Sequence, residues 1–283
     1  MLKIPTVDDW YCLSLKYRQF HRVSDTSLKD YGYMAIMDYL DSHAANNILE
    51  FGHGFNPTLL ERYSKARNVW GVDDYQGLAY FGTPDRNAWE KRFDQEVRSK
   101  APECTFRRGL LGGSCGVDLP SNYFDVVCSV SVLEEVTIET VRDILKHAAR
   151  LLKPGGALIG THDLLTVSPE RIGEYAAAHA AAGLELPIET LAPEINDKTL
   201  IENPTSVMIW YQMNEPETRK YWGHAATIWT VATKPRGSRL ARFGSSPIGR
   251  EAADRRENAR LASDQGNFRL EPAKKRWKQH SIP

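Results

Sequence analysis

The residues best suited to chemistry surround a turn that follows the apolar run Ile48–Phe51. That run predicts a buried parallel strand, and Gly52 and Gly54 permit backbone angles and close approaches that a Cβ would block. Asn56 suits a helix N-cap and Pro57 a first helical residue. The stretch therefore predicts a strand, a turn and a helix whose backbone N–H groups face the carboxyl end of the strand. Open α/β sheets bind ligands at that edge.

The glycine spacing excludes two common nucleotide sites. A dinucleotide fingerprint needs a third glycine where Pro57 stands, and a phosphate-binding loop needs the sequence G-K-[ST], which is absent. What distinguishes this turn is an acidic residue, Glu50, placed two positions before Gly52. A purely structural turn between strand and helix is the alternative.

A second strand, predicted over 68–74, ends in two carboxylates, Asp73 and Asp74. An ionised carboxyl offers two acceptor oxygens, so Asp73 can accept both hydroxyls of a ribose diol at the same edge of the sheet. Asp74 would take this role if the strand register slipped by one residue. The alternative for either residue is a solvated turn aspartate.

Three motifs in order resemble the class I S-adenosylmethionine (SAM)-dependent methyltransferases, of the type 11/12-like kind. Residues 50–56 read E-F-G-H-G-F-N, close to the family's E/D-x-G-x-G-x-G, with Asn56 in place of the last glycine. Residues 118–136 resemble L-P-x-x-x-F-D-V-V-x-S-x-x-V-L-E-H-V, with Glu135 where relatives often carry histidine. Residues 151–156 are L-L-K-P-G-G, a turn that ends a helix before a strand.

The resemblance implies a Rossmann-like α/β fold, with a seven-stranded, mostly parallel sheet, helices on both faces and an antiparallel last strand. Phe124–Val130 predicts its fourth strand, and Glu139–Leu152 predicts a helix with an apolar stripe at helical spacing. Ser206–Met213 and Ala225–Ala232 predict the antiparallel pair that ends the sheet.

The resemblance also implies the cofactor SAM, with S-adenosylhomocysteine as product. It assigns the methionyl end of the cofactor to the glycine turn, the ribose to Asp73, the adenine to the next aromatic residue, and the region beneath the methyl group to the end of the fourth strand. The residues concerned are Glu50, Gly52, His53, Gly54, Asp73, Asp74, Tyr75, Ser129 and Val130.

His162 is the most plausible general base in the chain, because an imidazole titrates near neutral pH and the fifth strand ends close to this residue. Asp163 would orient it or contact the acceptor. The alternative is that His162 is only a polar residue with satisfied hydrogen bonds.

Residues 1–46 predict an aromatic, helical segment, with Ser27 as the N-cap of a helix through Tyr39. In relatives such a segment often covers the active site, so Tyr17 and His21 are candidate acceptor contacts, although packing alone would explain the aromatic residues. A pair of carboxylates after the fourth strand, Glu134 and Glu135, either lies near the acceptor or simply favours the start of a helix.

Residues 47–235 are predicted to form the SAM-binding domain and 236–283 a flexible tail. Lys plus Arg and Asp plus Glu both number 36, but the tail holds 12 basic against 5 acidic residues. Such a tail suits either solubility or binding of phosphate backbones. The 4 cysteines form no C-x-x-C pair, no apolar run is long enough for a membrane span, and a cytoplasmic protein is the simplest interpretation.

The sequence therefore predicts methyl transfer to a small-molecule acceptor, with oxygen slightly favoured. Metal independence is expected because no carboxylate follows the fourth strand at Ser129 and Val130, where metal-dependent relatives place one. The absence of an N-P-P-Y tetrad argues against amino groups of nucleobases or glutamine. The alternatives are an RNA methyltransferase that uses the basic tail, a binding or scaffold protein without turnover, and an aminopropyltransferase of the same fold.

Overall fold

A mixed sheet of seven strands holds together the residues that the computed structural model describes, namely 1–17, 27–74, 86–112, 118–164, 169–187 and 226–236. The strands are β1 (Leu2–Lys3), β2 (Asn47–Phe51), β3 (Asn68–Asp73), β4 (Thr105–Arg108), β5 (Phe124–Val130), β6 (Leu152–Leu164) and β7 (Ala226–Thr233). Their order across the sheet is β1-β7-β6-β5-β2-β3-β4. From β4 to β6 all neighbours are parallel, and β7 is antiparallel to both β6 and β1. The predicted fold class is confirmed.

The edge beyond β7 differs from the prediction in one strand. The stretch Ser206–Met213 lies outside the described residues, and the strand that pairs with β7 on that side is β1, with Leu2 opposite Thr230 and Lys3 opposite Trp229. The sequence predicts a helical segment at the start of the chain. A strand of two residues is too short to show the alternation on which strand prediction depends.

Six α-helices accompany the sheet in the described ranges: α1 (Val7–Lys16), α2 (Ser27–Ser42), α3 (Thr58–Ser64), α4 (Arg86–Phe93), α5 (Ile138–Leu151) and α6 (Pro169–Ala181). A π-helical turn, Asp94–Arg98, continues α4, and a 3-10 turn, Leu133–Glu135, follows β5. In α5 the predicted apolar stripe is buried, and the Thr137 hydroxyl caps the helix by accepting the N–H of Thr140.

The helices cover the two faces of the sheet in separate groups. On the first face, Ile48 and Val126 pack with residues of α2 and α3 such as Leu40 and Leu60. On the second face, the alternate strand residues, including Leu49, pack with α5 and α6. Successive strand side chains point to opposite faces, so the position of a residue in its strand decides which group of helices it meets.

Residues Met1–Arg236 form one compact unit, and beyond Arg236 the basic tail lies outside the described residues. The boundaries at 46 and 235 remain predictions. None of the helices in the described part of the chain has the length and apolar character needed to cross a bilayer.

Candidate functional site

The glycine turn after β2 combines a tight contact with an open position. Gly52 and Gly54 both have positive φ, +69° and +55°, which L side chains rarely adopt. A Cβ on Gly52 would lie 2.4 Å from Cγ2 of Val132, whereas a Cβ on Gly54 would meet no described heavy atom within 4 Å. Gly52 is therefore needed for packing between β2 and the turn after β5, and Gly54 borders open space at the carboxyl edge.

The helix after this turn begins one residue later than predicted, at Thr58. The carboxamide oxygen of Asn56 accepts the N–H of Thr58 at 3.1 Å, so Asn56 still caps the backbone as its residue type suggests.

Asp73 joins the end of β3 to the glycine turn. Its Oδ2 accepts the backbone N–H of Gly54 at 2.7 Å, and its carbonyl accepts the N–H of Gly109 at 2.9 Å. The side chain is nearly buried, while the neighbouring Asp74 lies beyond the last residue of the strand and is half-buried. Of the two carboxylates, Asp73 is the one that the register brings to the turn. Tyr75, the predicted adenine contact, lies outside the described residues.

Glu50 lies beside Asp73 on the first face, in the interior strand β2. It is 1 % exposed, and its backbone pairs with Gly71 of β3 and Cys128 of β5. Its Oε2 has no hydrogen-bond partner among the described atoms. Burial raises the pKa of Glu50 to about 8, and the nearby Asp73 carboxylate acts in the same direction.

Helix α2 contributes a residue that sequence analysis missed, the buried Tyr33. Burial raises the pKa of its hydroxyl well above the usual value, and the proximity of Glu50, Cys128 and Asp30 raises that pKa further. The adjacent Gly32 explains how close the helix lies, because a Cβ there would be 2.6 Å from the Thr161 hydroxyl of β6. A glycine inside a helical pattern is the one sequence signal of such a close approach.

His53, predicted to contact the methionyl group, turns its ring into the protein. It is 4 % exposed, its Nδ1 donates to the carbonyl of Gly54 at 2.8 Å, and its ring packs edge-on against Phe106 of β4. Burial lowers the pKa of the imidazole to about 4, which the hydrogen bond to Gly54 opposes. The ring therefore supports the turn from within, and we assign His53 a positioning role.

The two residues predicted beneath the methyl group point to opposite faces of the sheet. Val130 is on the first face, where its Cγ1 would be 3.0 Å from a Cβ on Gly32. Ser129 is buried among second-face residues such as His162 and Leu158. Because side chains alternate along β5, only one of the two residues, Val130, has its side chain on the same face as Glu50. The Ser129 side chain lies on the other face, so the cofactor contact predicted for it is corrected.

The same alternation places His162 in the interior of the second face. It is 3 % exposed, its ring stacks on Tyr175 of α6 with centroids 5.3 Å apart, and its Nε2 lies 3.2 Å from the hydroxyl of Thr230. Burial lowers the pKa of His162 to about 3, with a contribution from His179. A closed environment and a low pKa are unsuited to taking a proton from an acceptor, so the assignment of His162 as the base is withdrawn. The backbone of Asp163 is part of β6, and the side chain of Asp163 is not among those that the structure describes.

Burial lowers the pKa of both His162 and His179 and so favours their neutral forms, and the hydrogen bonds show which ring nitrogen then carries the proton. The Thr230 hydroxyl donates to the carbonyl of Gly160, so Nε2 of His162 must donate to Thr230 and its Nδ1 carries no proton. In His179, Nδ1 donates to the carbonyl of Tyr175 at 2.7 Å, which leaves Nε2 without a proton. Neither bare nitrogen has a partner among the described residues, and the space between the side chains is too small for a water molecule.

The predicted acceptor contacts have different outcomes. The hydroxyl of Tyr17 donates to Asp41 at 3.1 Å, in the last turn of α2. That turn leads to the start of β2, at the opposite edge of the sheet from the glycine turn, so Tyr17 packs the helices together and does not reach the site. Glu134 and Glu135 lie in the 3-10 turn after β5, at the carboxyl edge, half-buried and exposed respectively. His21 lies outside the described residues.

The arrangement fits a cationic ligand that carries hydroxyl groups. Glu50 forms no ion pair within the described ranges and has an unsatisfied carboxyl oxygen, Asp73 offers carboxylate oxygens at the turn, and Gly54 borders open space. SAM has both features, a positively charged sulfonium and a ribose diol, and no described side chain fills the position beside Gly54.

A family model described as "Methyltransferase domain" matches residues 49–160, less than half of the 283 residues. The match spans Glu50, the glycine turn, Asp73 and the end of β5. No curated protein matches the chain.

The chain is similar to several solved structures at low sequence identity. The YcgJ protein from Bacillus subtilis is 13 % identical with a TM-score of 0.51, over 73 % of this chain and 98 % of that one. The [4+2]-cyclase SpnF is 16 % identical with a TM-score of 0.47, over 72 % and 81 % of the two chains. Phosphoethanolamine N-methyltransferase 2 from Haemonchus contortus, solved in complex with SAM, is 15 % identical with a TM-score of 0.46, over 72 % and 52 %.

The matched methyltransferase domain contains the acidic residue, the glycine turn and the second carboxylate in the geometry described above, on a seven-stranded sheet with an antiparallel β7. The family model and the fold together support a class I SAM-dependent methyltransferase domain at residues 49–160.

Proposed function

We propose that this protein transfers a methyl group from SAM to a small-molecule acceptor, with oxygen favoured as the methylated atom and without a metal. The observation that carries the proposal is the contact between Gly54 and Asp73, beside the buried Glu50. It holds one carboxylate, Asp73, at an open backbone position on the carboxyl edge of the sheet, with a second carboxyl group, Glu50, close to Asp73. That edge is the side on which α/β folds bind ligands.

Asp73 is proposed to hold the ribose. A carboxylate has two oxygens and about four lone-pair sites, so Asp73 can keep its bond to the Gly54 N–H while it accepts hydroxyl donors. The bond also fixes the carboxylate relative to the turn, which reduces the entropy lost when the ligand is held.

When bound, SAM supplies an electrophilic methyl group on a positively charged sulfur. The contribution of the protein is then to align the acceptor with that methyl group and to exclude water. Val130, together with the first turns of α2 around Gly32 and Tyr33, forms the enclosed first-face side of this edge. We propose that these residues limit the size of the acceptor.

A hydroxyl acceptor needs a proton-accepting group at the carboxyl edge, and the burial of His162 leaves that role to other residues. Glu134 and Glu135 follow β5 directly, and Asp163 is in the part of β6 that extends to the same edge. We propose that acceptor contacts come from these carboxylates. Metal independence remains part of the proposal, because β5 ends in Ser129 and Val130 rather than in a carboxylate.

The first test is calorimetric titration of the protein with SAM and with S-adenosylhomocysteine. Wild type is expected to bind both at micromolar concentration. Asp73→Ala is expected to bind about tenfold to a hundredfold more weakly, because it loses a charged hydrogen bond of about 1.5–3 kcal/mol. Asp74→Ala is the matched control and should bind within about threefold of wild type. Equal weakening by the two substitutions would contradict the assignment of Asp73.

The second test follows the methyl group. The protein is incubated with methyl-labelled SAM and fractionated cell extract, with and without EDTA. Label is expected in the low-mass fraction, as an ether, at a rate that EDTA leaves unchanged. Label confined to RNA would favour the alternative that depends on the basic tail, and cofactor binding with no labelled product would favour a non-catalytic binding protein.

A further inference from the structure

Glu50 lies in the most enclosed part of the site. It occupies the interior strand β2, between the backbone of Gly71 on one side and Cys128 on the other. Only 1 % of the residue is exposed, and its Oε2 has no hydrogen-bond donor among the described residues. Folding removes this carboxyl group from water, and the described residues do not replace the hydrogen bonds that it loses.

Among the residues that the structure describes, no group that faces Glu50 from the elements packed against it is a cation. These groups are Asp73 of β3, Cys128 of β5, Tyr33 of α2 with Asp30 beyond it, Cys104 before β4, and the neutral His53 of the turn. Each is acidic or uncharged at neutral pH, and within the described ranges no lysine or arginine forms an ion pair with Glu50. An ionised Glu50 would therefore be a buried, uncompensated negative charge close to a second carboxylate.

The open position at Gly54 is a place where a compensating positive charge can bind. The glycine turn follows Glu50 directly, and beyond it Gly54 borders space that no described side chain occupies. A positively charged ligand held at the turn would bring to Glu50 the compensating charge that the described residues do not provide. Its arrival would reverse the electrostatic balance, because an ionised carboxyl is favoured beside a cation.

On the basis of the cofactor proposed above, we propose that Glu50 is a neutral carboxylic acid in the cofactor-free protein and releases its proton to solvent when the positively charged cofactor binds. The O–H bond of the carboxylic acid breaks, the proton passes to the buffer, and the carboxylate that remains is compensated by the charge of the ligand. No electrons are transferred. Cofactor binding is then linked to pH through a single buried group.

The test is calorimetric titration with SAM at pH 7 in two buffers of different ionisation enthalpy, which yields the number of protons released. With a pKa of about 8, about nine-tenths of the Glu50 side chains are protonated at pH 7. Wild type is expected to release at least about half a proton more than Glu50→Gln. The α-amino group of the ligand contributes equally to both proteins. Wild-type affinity should also rise about tenfold from pH 6.5 to pH 8, and that of Glu50→Gln should change much less.

Glu103→Gln removes an exposed carboxyl before β4 and is the matched control, with proton release equal to wild type. Equal release by wild type and Glu50→Gln would overturn the inference and leave the cofactor assignment intact, whereas failure of wild type to bind SAM at any pH would overturn the proposed function. If Glu50→Gln does not fold, infrared difference spectra of the wild type test whether Glu50 loses its proton. The C=O band of a protonated carboxyl must disappear on SAM addition, and its persistence would contradict the proposal.

Discussion

The two faces of the sheet each bury ionisable side chains, but these side chains differ in what lies beside them. On the first face, the glycine-turn cluster (Glu50, Asp73 and Tyr33) is next to the open position at Gly54. On the second face, the histidine cluster (His162 and His179 with Tyr175 and Thr230) is closed by α6, without room for a water molecule. Burial shifts pKa values in both clusters.

This difference shows that a shifted pKa does not by itself identify a functional residue. Perturbed values are enriched at active sites, yet structural packing produces them as well. Glu50 combines its shift with an orphaned oxygen and a neighbouring opening, whereas His162 combines its shift with ring stacking and a hydrogen bond to Thr230. Substitutions in the histidine cluster should therefore change stability, and substitutions around the turn should also change cofactor binding.

The largest loss of stability is expected from Gly52→Ala, compared with Gly54→Ala. At both positions an alanine must adopt positive φ, at about 1–2 kcal/mol, but only at Gly52 does the new Cβ meet Val132, at 2.4 Å. Urea unfolding should show a loss of about 3–4 kcal/mol for Gly52→Ala and about 1–2 kcal/mol for Gly54→Ala. Gly54→Ala should also raise the Kd for SAM, an effect that its small loss of unfolding free energy does not by itself explain. Equal losses in unfolding would mean that Val132 yields to the new methyl group.

The next largest effect is expected from His162→Ala. Removal of a fully buried ring that stacks on Tyr175 should cost about 2–4 kcal/mol of unfolding free energy. The Kd for SAM should stay within about twofold, because the ring lies on the closed face. His43→Ala, at an exposed position, should cost less than about 0.5 kcal/mol. A stable variant with lost turnover would restore His162 as a catalytic candidate.

Acid should destabilise the protein through His162. Its pKa is about 3 in the folded protein and 6.5 for an unperturbed imidazole, so the unfolded chain binds more protons between these values and stability falls as pH drops below 6.5. At pH 5 the expected loss from this group is about 2 kcal/mol. Glu50, whose pKa is raised to about 8, acts with the opposite sign between pH 4.5 and 8. Because Glu50 is present in both proteins, the change in unfolding free energy from pH 7 to pH 5 should be about 2 kcal/mol less favourable to stability in wild type than in His162→Ala.

The smallest effect concerns Tyr17. Its hydroxyl donates to Asp41 far from the turn, so Tyr17→Phe should cost about 1 kcal/mol of stability and leave SAM affinity and turnover unchanged. Tyr11→Phe, at a side chain that is 57 % exposed, is the control and should be neutral. A rise in KM for the acceptor in Tyr17→Phe would contradict the position that the structure gives this residue.

The elements themselves were largely predictable. The apolar run Ile48–Phe51, the strand that ends at Asp73 and the stripe of α5 lie where their local patterns indicate. Tyr33 was missed for a physical reason, since its role depends on how closely α2 approaches β6 at Gly32. A glycine in a helix signals that some segment approaches closely, but no local pattern shows which distant segment it is.

By itself, the sequence determined the strand–turn–helix unit, the acidic residue before the glycines and the carboxylate after β3, because turn chemistry and strand periodicity act over a few neighbouring residues. Only the tertiary structure decided that His53 and His162 turn inward and that Glu50 is buried with no cation beside it among the described residues. The physical reason is that the surroundings of a side chain, and with them its pKa, come from segments far apart in the chain that pack onto one face of the sheet.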